Sequence, residues 1–515
     1  MKVNLDKTNV LLIGKDNNEV ENLLFKNVVT EVKILGITFS LDIKKWEELN
    51  YKEILSKIKR LLVWWKQRDL TIMGKIHLIK TYALSKLIYV ASSLVVPKWL
   101  ITEIHRICFD FIWNGKDRVK RVIMYQDYRR GGLRMMNFEL FVKAQRVTWV
   151  KRLLYGERKM SWKTYFDFIF RSVGGRVIFH CNYDTKKILC RAPLFYLEML
   201  HAWEDMEKCR FFEEGKINPI VFNNKDFLVR GKMFFNAELY QRDIFLLEHI
   251  FDKEDIRPIT FFHSLCVNSV NIAYIWKICG IILNSGKYVG TSDKWYSVDL
   301  IDHNISLKIL GKTIMLRDLC SRNVYEHFVT NLECTVQIRD GHQNFVFPEE
   351  IIGKIFKRPR MATLSRELRE FQFKLLHGAI YTKEHLFRFG FVTDELCSFC
   401  SRSIESYEHL FWNCIKVHSL WMDVVKKFDL PELSNADWEK IHIGLEGNSP
   451  RIKGCNTILF IVKYSIYCAR LKSVIPSIDE IKKRIQAYRE DEMKMSAKGR
   501  NVGLDILKWE ILNIV

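Results

Sequence analysis

Apolar and polar positions recur with two different periods along this chain. Near the start, Val10-Leu11-Leu12-Ile13 is a short apolar run stopped by Gly14, and Val32 to Phe39 alternates before Asp42, so residues 1–42 predict short strands and turns. So short a piece buries too little surface to fold by itself, and it reads as the last hairpin of a larger domain. From residue 43 the period becomes helical. Ile54, Ile58, Leu61, Leu62 and Trp65 follow one helical face. Asp69 is placed to cap a second helix through Met73, Ile76, Ile79 and Leu87, which should end before Pro97. Ile101, Ile104, Ile107, Cys108 and Phe111 line a third helix up to Gly115, and Asn137 caps a fourth through Phe141 and Val147 to Gly156.

Residues 161–345 are mixed, aromatic-rich from Trp162 to Phe170 and strand-like from Lys308 to Met315, and they hold no chemical motif; their aromatics read as core. Residues 346–425 return to helix. In the tail, 426–515, an apolar helix from Ile458 to Ala469 precedes Pro476 and the capping-box sequence Ser477-Ile478-Asp479-Glu480. That sequence opens an amphipathic helix through Ile481, Ile485 and Tyr488. Beyond it, Glu490, Asp491, Glu492, Lys494 and Lys498 read as solvated surface. The fold class expected is mainly α with minor β: a helical bundle, a mixed α/β middle region and a helical C-terminal module. The longest apolar stretches, Ile278 to Leu283 and Ile458 to Cys468, are too short or carry Lys463, so neither suits a bilayer.

Charge sharpens this picture. The 515 residues carry a net +21, and residues 51–160 hold 24 Lys/Arg against 8 Asp/Glu, so +16 of the excess lies in one stretch. Such a block attracts a polyanion through counterion release, nucleic acid being the commonest; the plainer alternative is a solvated helical face. Between the third and fourth helices, Lys116, Arg118, Lys120, Arg121, Arg129 and Arg130 form a basic loop closed by Gly131-Gly132, the best phosphate-contact candidate. The 13 Cys are an odd number without a secretory leader, which points to a reducing, intracellular setting.

Three of those cysteines carry chemistry. Cys397, Cys400, His409 and Cys414 stand at the spacing Cys-x2-Cys-x8-His-x4-Cys. Two thiolates two residues apart grip an ion from a tight turn, here Ser401-Arg402-Ser403, and the helical run His409-Leu410-Phe411-Trp412 brings the other donors to complete a zinc tetrahedron. His418 is close enough to replace Cys414 in a Cys2His2 variant, and chance proximity of small core cysteines is the plain alternative. A basic helix with Lys354, Lys357, Arg358, Arg360, Arg366, Arg369 and Lys374 leads into the cluster. A zinc knuckle beside basic helices holds RNA, or merely pins two helices together. There is no Gly-x-Ser-x-Gly elbow, no phosphate-binding Gly-x4-Gly-Lys loop and no His-Glu-x2-His helix; Gly14-Lys15-Asp16 is only a turn, and His377 and His385 read as packing or surface residues.

The segment from Trp64 to Ile76, then Leu84-Ser85-Lys86-Leu87-Ile88-Tyr89, Phe111-Ile112-Trp113-Asn114 and Gly131-Gly132-Leu133, resembles the thumb of LINE-type non-LTR retrotransposon reverse transcriptases. Val3-Asn4-Leu5-Asp6-Lys7-Thr8 and Ile34-Leu35-Gly36-Ile37 are similar to segments that follow the catalytic aspartates there. Cys397 to Cys400 and Glu408 to Cys414 resemble the zinc-binding domain after the polymerase. The resemblance implies a remnant palm hairpin at 1–42, a basic helical thumb-like domain at 43–160, a mixed linker domain at 161–345, a helical zinc-binding domain at 346–425 and a helical tail at 426–515. It implies RNA and DNA as partners, no membrane, a nuclear and/or cytoplasmic location, and phosphate contacts from Lys66, Arg68, Lys75, Lys116, Arg118, Lys120, Arg129 and Arg130. Zn2+ would be structural.

In that family the palm supplies an aromatic-x-Asp-Asp turn for Mg2+, whereas this chain has no Asp-Asp pair and begins just beyond where the turn should lie. The expectation is therefore a C-terminal fragment that binds nucleic acid without polymerising it. Its alternatives are a truncated form of an intact RNA-directed DNA polymerase and a zinc-braced protein-interaction module.

Overall fold

The structure, a computed structural model, describes residues 8–12, 27–156, 160–188, 191–211, 216, 218–252, 255–265, 267, 269–285, 304–339, 344–497 and 507–512. Val3 to Lys7, Ile13, the turn Gly14-Lys15-Asp16 and Lys498 lie outside the described residues. The described chain is mainly helical, with short two-stranded sheets only. It divides into two compact units, each assembled from three stretches: Met1–Lys57 with Ser85–Ile104 and Asn137–Asn331, and Ile58–Leu84 with His105–Met136 and Leu332–Val515.

In the first of these units the helix Phe138–Tyr155 packs against Leu194–Glu204 and Ser321–Thr330. Asn137 caps it as expected, its Oδ1 accepting from the Leu140 N–H at 3.2 Å. The aromatics of the middle region build the core here: Phe166 and Phe170 are fully buried and stack at 4.2 Å, and the indole of the buried Trp203 donates to the Phe179 carbonyl at 2.8 Å. Tyr165 and Phe168, on the same helix, face outward. Arg146 is an unexpected anchor. It is 1% exposed, and its guanidinium donates to the Ala91 (3.0 Å), Ser92 (3.3 Å) and Leu94 (2.6 Å) carbonyls where the Ser85–Ser93 helix ends, while Nε meets Glu198 at 2.7 Å. Arg146→Met should cost about 2 kcal/mol by stranding those acceptors; an unchanged urea midpoint would contradict it.

The alternating segment near the start forms the expected hairpin, and the strand-like stretch from Lys308 to Met315 turns back on itself as another. Glu31–Ile34 pairs with Ile37–Ser40, and Ser306–Ile309 with Lys312–Met315. Each turns on a Leu-Gly pair with both residues left-handed: Leu35 and Gly36 at φ 48° and 86°, Leu310 and Gly311 at 51° and 77°. The usual sequence cue for such a turn is Asn-Gly or Asp-Gly, and a leucine there hides it.

The other unit joins the basic stretch to the C-terminal helices. Ile72–Leu78 runs into a π-helical turn, Ile79–Leu84. Its cap is Thr71, whose Oγ1 accepts from the Gly74 N–H at 3.2 Å, not Asp69. The Ile72 N–H, one of the orphan donors of that first turn, goes to Glu370 at 2.5 Å. The stretch expected as a basic loop contains the one-and-a-half-turn helix Arg121–Tyr125 and a short 3-10 turn, Tyr128–Arg130. It is locked in place where His377 donates from Nε2 to the Gly131 carbonyl at 2.8 Å; burial holds that imidazole neutral by lowering its pKa to about 4.

Around this, Glu349–Ala362, Arg366–Leu376, Ile415–Lys427, Pro450–Arg470 and Ile478–Ala497 enclose a core containing Trp421, Phe411, Tyr407, Ile458 and Ile481. Ser477 and Glu480 form the reciprocal capping box, at 2.9 and 3.3 Å. One tail residue departs from the surface expected there. Glu492 is 2% exposed, accepts from the Leu364 N–H at 2.7 Å and pairs with the buried Lys508 at 2.6 Å. Glu490, Asp491 and Lys494 are exposed. Lys463 is fully buried in the Pro450–Arg470 helix, donating to Gln372 Oε1 (2.8 Å) and the Ile441 carbonyl (2.7 Å), and burial pulls its pKa well down. Among the described residues no helix is long and apolar enough to cross a membrane.

Candidate metal centre

The site begins with a turn. A single antiparallel bridge between Leu396 and Ile404 brings two backbone stretches together; the Cys397 N–H donates to the Ser403 carbonyl at 2.8 Å and the Ser401 N–H to the Cys397 carbonyl at 2.9 Å. Ser401 takes a left-handed φ of 52°, which reverses the chain tightly enough to aim both thiols inward. The Phe399 N–H points at Cys397 Sγ, 3.4 Å away, a donor suited to a thiolate.

The other two donors come from a distorted helix. Glu408 leads into a π-turn, His409–Asn413, closed by the Cys414 N–H to His409 carbonyl bond at 2.9 Å. In a regular α-helix residues five apart point to different faces; the wider π-turn swings His409 and Cys414 to the same side. Cys414 then stands at the N-cap of Ile415–Lys427, where the helix end favours negative charge on sulfur.

The four ligand atoms converge to within 4.8 Å of one another. Cys397 Sγ lies 3.9 Å from Cys414 Sγ, and Cys400 Sγ 3.3 Å from His409 Nε2. A tetrahedron with zinc–sulfur bonds of about 2.3 Å requires sulfurs about 3.8 Å apart. The 3.9 Å separation is far too long for a disulfide and close to that value. Cys397 and Cys414 are buried, Cys400 and His409 half-buried. His418 does not join them: it is exposed on Ile415–Lys427, edge-on to Trp412 at 5.1 Å. The donor set fits Zn2+, with four protein ligands and no open position, the pattern of a structural ion.

Electrostatics separate the two knuckle thiols. Burial pushes the Cys397 thiol up to about 12. Burial also raises Cys400, but the backbone N–H groups of Arg402 and Ser403 and the His409 ring outweigh it and hold that thiol down at about 6.

Support comes from Glu405, which carried no sequence signal beyond being an acid near the cluster. It is fully buried. Oε2 accepts from the Ser398 N–H (2.8 Å) and hydroxyl (2.6 Å), Oε1 accepts from the Lys383 N–H (2.8 Å), and Arg470, 8% exposed, pairs with it at 3.3 Å. Lys416 closes the far side by donating to the Phe399 carbonyl at 2.7 Å. Buried partners of this kind orient the ligand-bearing loop.

Residues 358–421 match the family described as zinc-binding in reverse transcriptase. Over 217 residues, 39% of this chain, the sequence is 23% identical to the transposon TX1 uncharacterized 149 kDa protein of Xenopus laevis, and the match spans 16% of that protein's length. The four converging donors all fall inside the zinc-binding match.

The eight expected phosphate contacts belong to the same unit as this cluster. Lys116, Arg118, Lys120 and Arg129 are exposed. Lys66 is exposed and 3.6 Å from Asp110, Arg130 is half-buried and 3.6 Å from Glu349, and Arg68 stacks over Trp64 and Trp65 at 4.9 and 5.3 Å. Lys75 is the exception. It is 8% exposed, donates to the Ile112 carbonyl at 3.2 Å and lies over the Phe111 ring, and burial lowers its pKa, so it is a packing residue and cannot reach a phosphate. Arg358 of the basic helix is likewise internal, donating to the Gly444 carbonyl at 2.7 Å.

Proposed function

We propose that this chain is the thumb and zinc-binding part of a LINE-type non-LTR retrotransposon reverse transcriptase, and that it grips RNA and DNA without reading sequence. The observation that carries this reading is the convergence of Cys397, Cys400, His409 and Cys414 inside the segment similar to reverse-transcriptase zinc-binding domains. The similarity to a transposon protein and the thumb-like sequence landmarks support it. Zinc is structural in this reading, and Mg2+ belongs to a palm site outside these residues. Exposed Lys and Arg side chains position the strand through its phosphates.

Binding to labelled RNA across a salt series tests it. Each phosphate neutralised on a single strand contributes roughly −0.7 to the slope of log K against log salt, so a slope steeper than about −3 is expected. Replacing Lys116 and Arg129 together by Gln should flatten the slope by about 1.4 for single-stranded RNA and by about 1.8 for a duplex. A zinc-loaded protein that binds no nucleic acid, or binds it independently of salt, overturns the proposal in favour of a zinc-braced interaction module.

A further inference from the structure

A cavity of about 450 Å3 opens beside the helix Arg121–Tyr125, and its walls carry Arg118, Lys120, Arg121 and Arg339 against a single carboxylate, Asp117. Arg121 Nε neutralises Asp117 at 2.7 Å, which leaves Arg118, Lys120 and Arg339 converging on the space with Gln337 as a polar neighbour. All three residues are exposed. Three like charges around one concave, polar hollow repel one another and focus a positive potential into it, an arrangement that an anion relieves.

The cavity does not end in bare surface. The Arg118 guanidinium lies 4.9 Å over the ring of Tyr381, and Tyr381 meets Phe389 edge to face at 5.7 Å. Phe389 is 54% exposed, and Phe387 and Phe391 beside it in sequence are 45% and 76% exposed. Open aromatic faces next to cations take a strand whose bases are unpaired, phosphate against the charges and base against a ring; a duplex keeps its base faces stacked inside and has none to offer. An apolar partner protein would match the phenylalanines but would leave the three cations of the cavity unanswered.

We infer that this cavity seats a backbone phosphate of a single-stranded nucleic acid while an adjacent base stacks on Phe389. The inference rests on the nucleic-acid-binding function proposed above and narrows it to strands with unpaired bases at this place.

The test uses the full zinc-loaded chain, a labelled oligouridylate of about 12 nucleotides, a length within known single-strand site sizes, and the same strand paired to oligoadenylate. Phe389→Ala should weaken single-strand binding about tenfold and leave duplex binding within about twofold, because only the unpaired base loses its platform. Lys120→Gln with Arg339→Gln should flatten the single-strand salt slope by about 0.7, the share of the one phosphate seated there. These side chains are exposed, and unchanged zinc content with an unchanged circular dichroism spectrum verifies that each variant is folded. Either variant behaving as wild type overturns the inference, as does Phe389→Ala weakening both forms equally, while a steep wild-type salt slope in the same experiment leaves the general binding function standing. A wild-type chain that binds neither form overturns both.

Discussion

Serine in place of Cys397 is expected to release about one zinc per chain and to unfold the segment from roughly residue 385 to 425, since a closed structural site contributes folding free energy directly. The size of the effect follows from where the ligands sit. Cys397 and Cys414 are part of one buried core with Tyr407, Phe411 and Trp421, so the ion ties the turn to the helices rather than decorating a surface. Structural zinc in small domains is worth on the order of 10 kcal/mol, and losing one thiolate removes a large share of it. The buried thiol of Cys397, pushed up to about 12, must give up its proton to bind metal. Binding therefore releases protons, and affinity falls as pH falls. Elemental analysis of the purified wild-type chain, followed by amide exchange over residues 385–425 with and without chelator, checks this. A wild-type chain without zinc, or exchange protection indifferent to chelation, sinks it.

Removal of Glu405 should be nearly as damaging although it touches no metal. Its carboxylate is fully buried and answers the Lys383 N–H, the Ser398 N–H and hydroxyl, and the Arg470 guanidinium. Glu405→Ala leaves those donors without their acceptor and Arg470 without its counter-charge, a change that in buried pairs costs about 3–5 kcal/mol. Because Ser398 lies between the two knuckle cysteines, zinc affinity should also drop by about ten- to a hundredfold, the usual penalty for losing a partner outside the ligands. Urea unfolding of the zinc-loaded chain and a zinc competition titration measure the two effects. A loss below about 1 kcal/mol with unchanged affinity would mean that the turn holds its shape without this carboxylate.

The helices were largely legible in the sequence, because a repeat of apolar positions is a local property of the chain. Asn137 and Ser477 announce their helices by side chains that bond the backbone two or three residues on, and both do so. The cap of the second helix is not legible, because Asp69 and Thr71 are both competent and only the backbone conformation chooses Thr71. The second Leu-Gly hairpin, at Leu310-Gly311, is hidden for a related reason: the strand pattern continues through a turn whose residues carry no turn signature.

Residue types, their spacing and the concentration of positive charge are properties of the chain written in order, and they sufficed to single out Cys397, Cys400, His409 and Cys414 and to mark residues 51–160 as basic. The tertiary structure alone decided which charges remain available. Lys75, Arg358, Arg470 and Glu492 look like surface residues in a list and lie inside the molecule, each held by a partner 37 or more residues away or on another helix. It also decided that His418 stays outside while a π-turn brings His409 round to Cys414. Burial of a charge requires a specific partner at hydrogen-bond distance, and partners distant in sequence meet only when helices pack; no pattern along one dimension encodes that meeting.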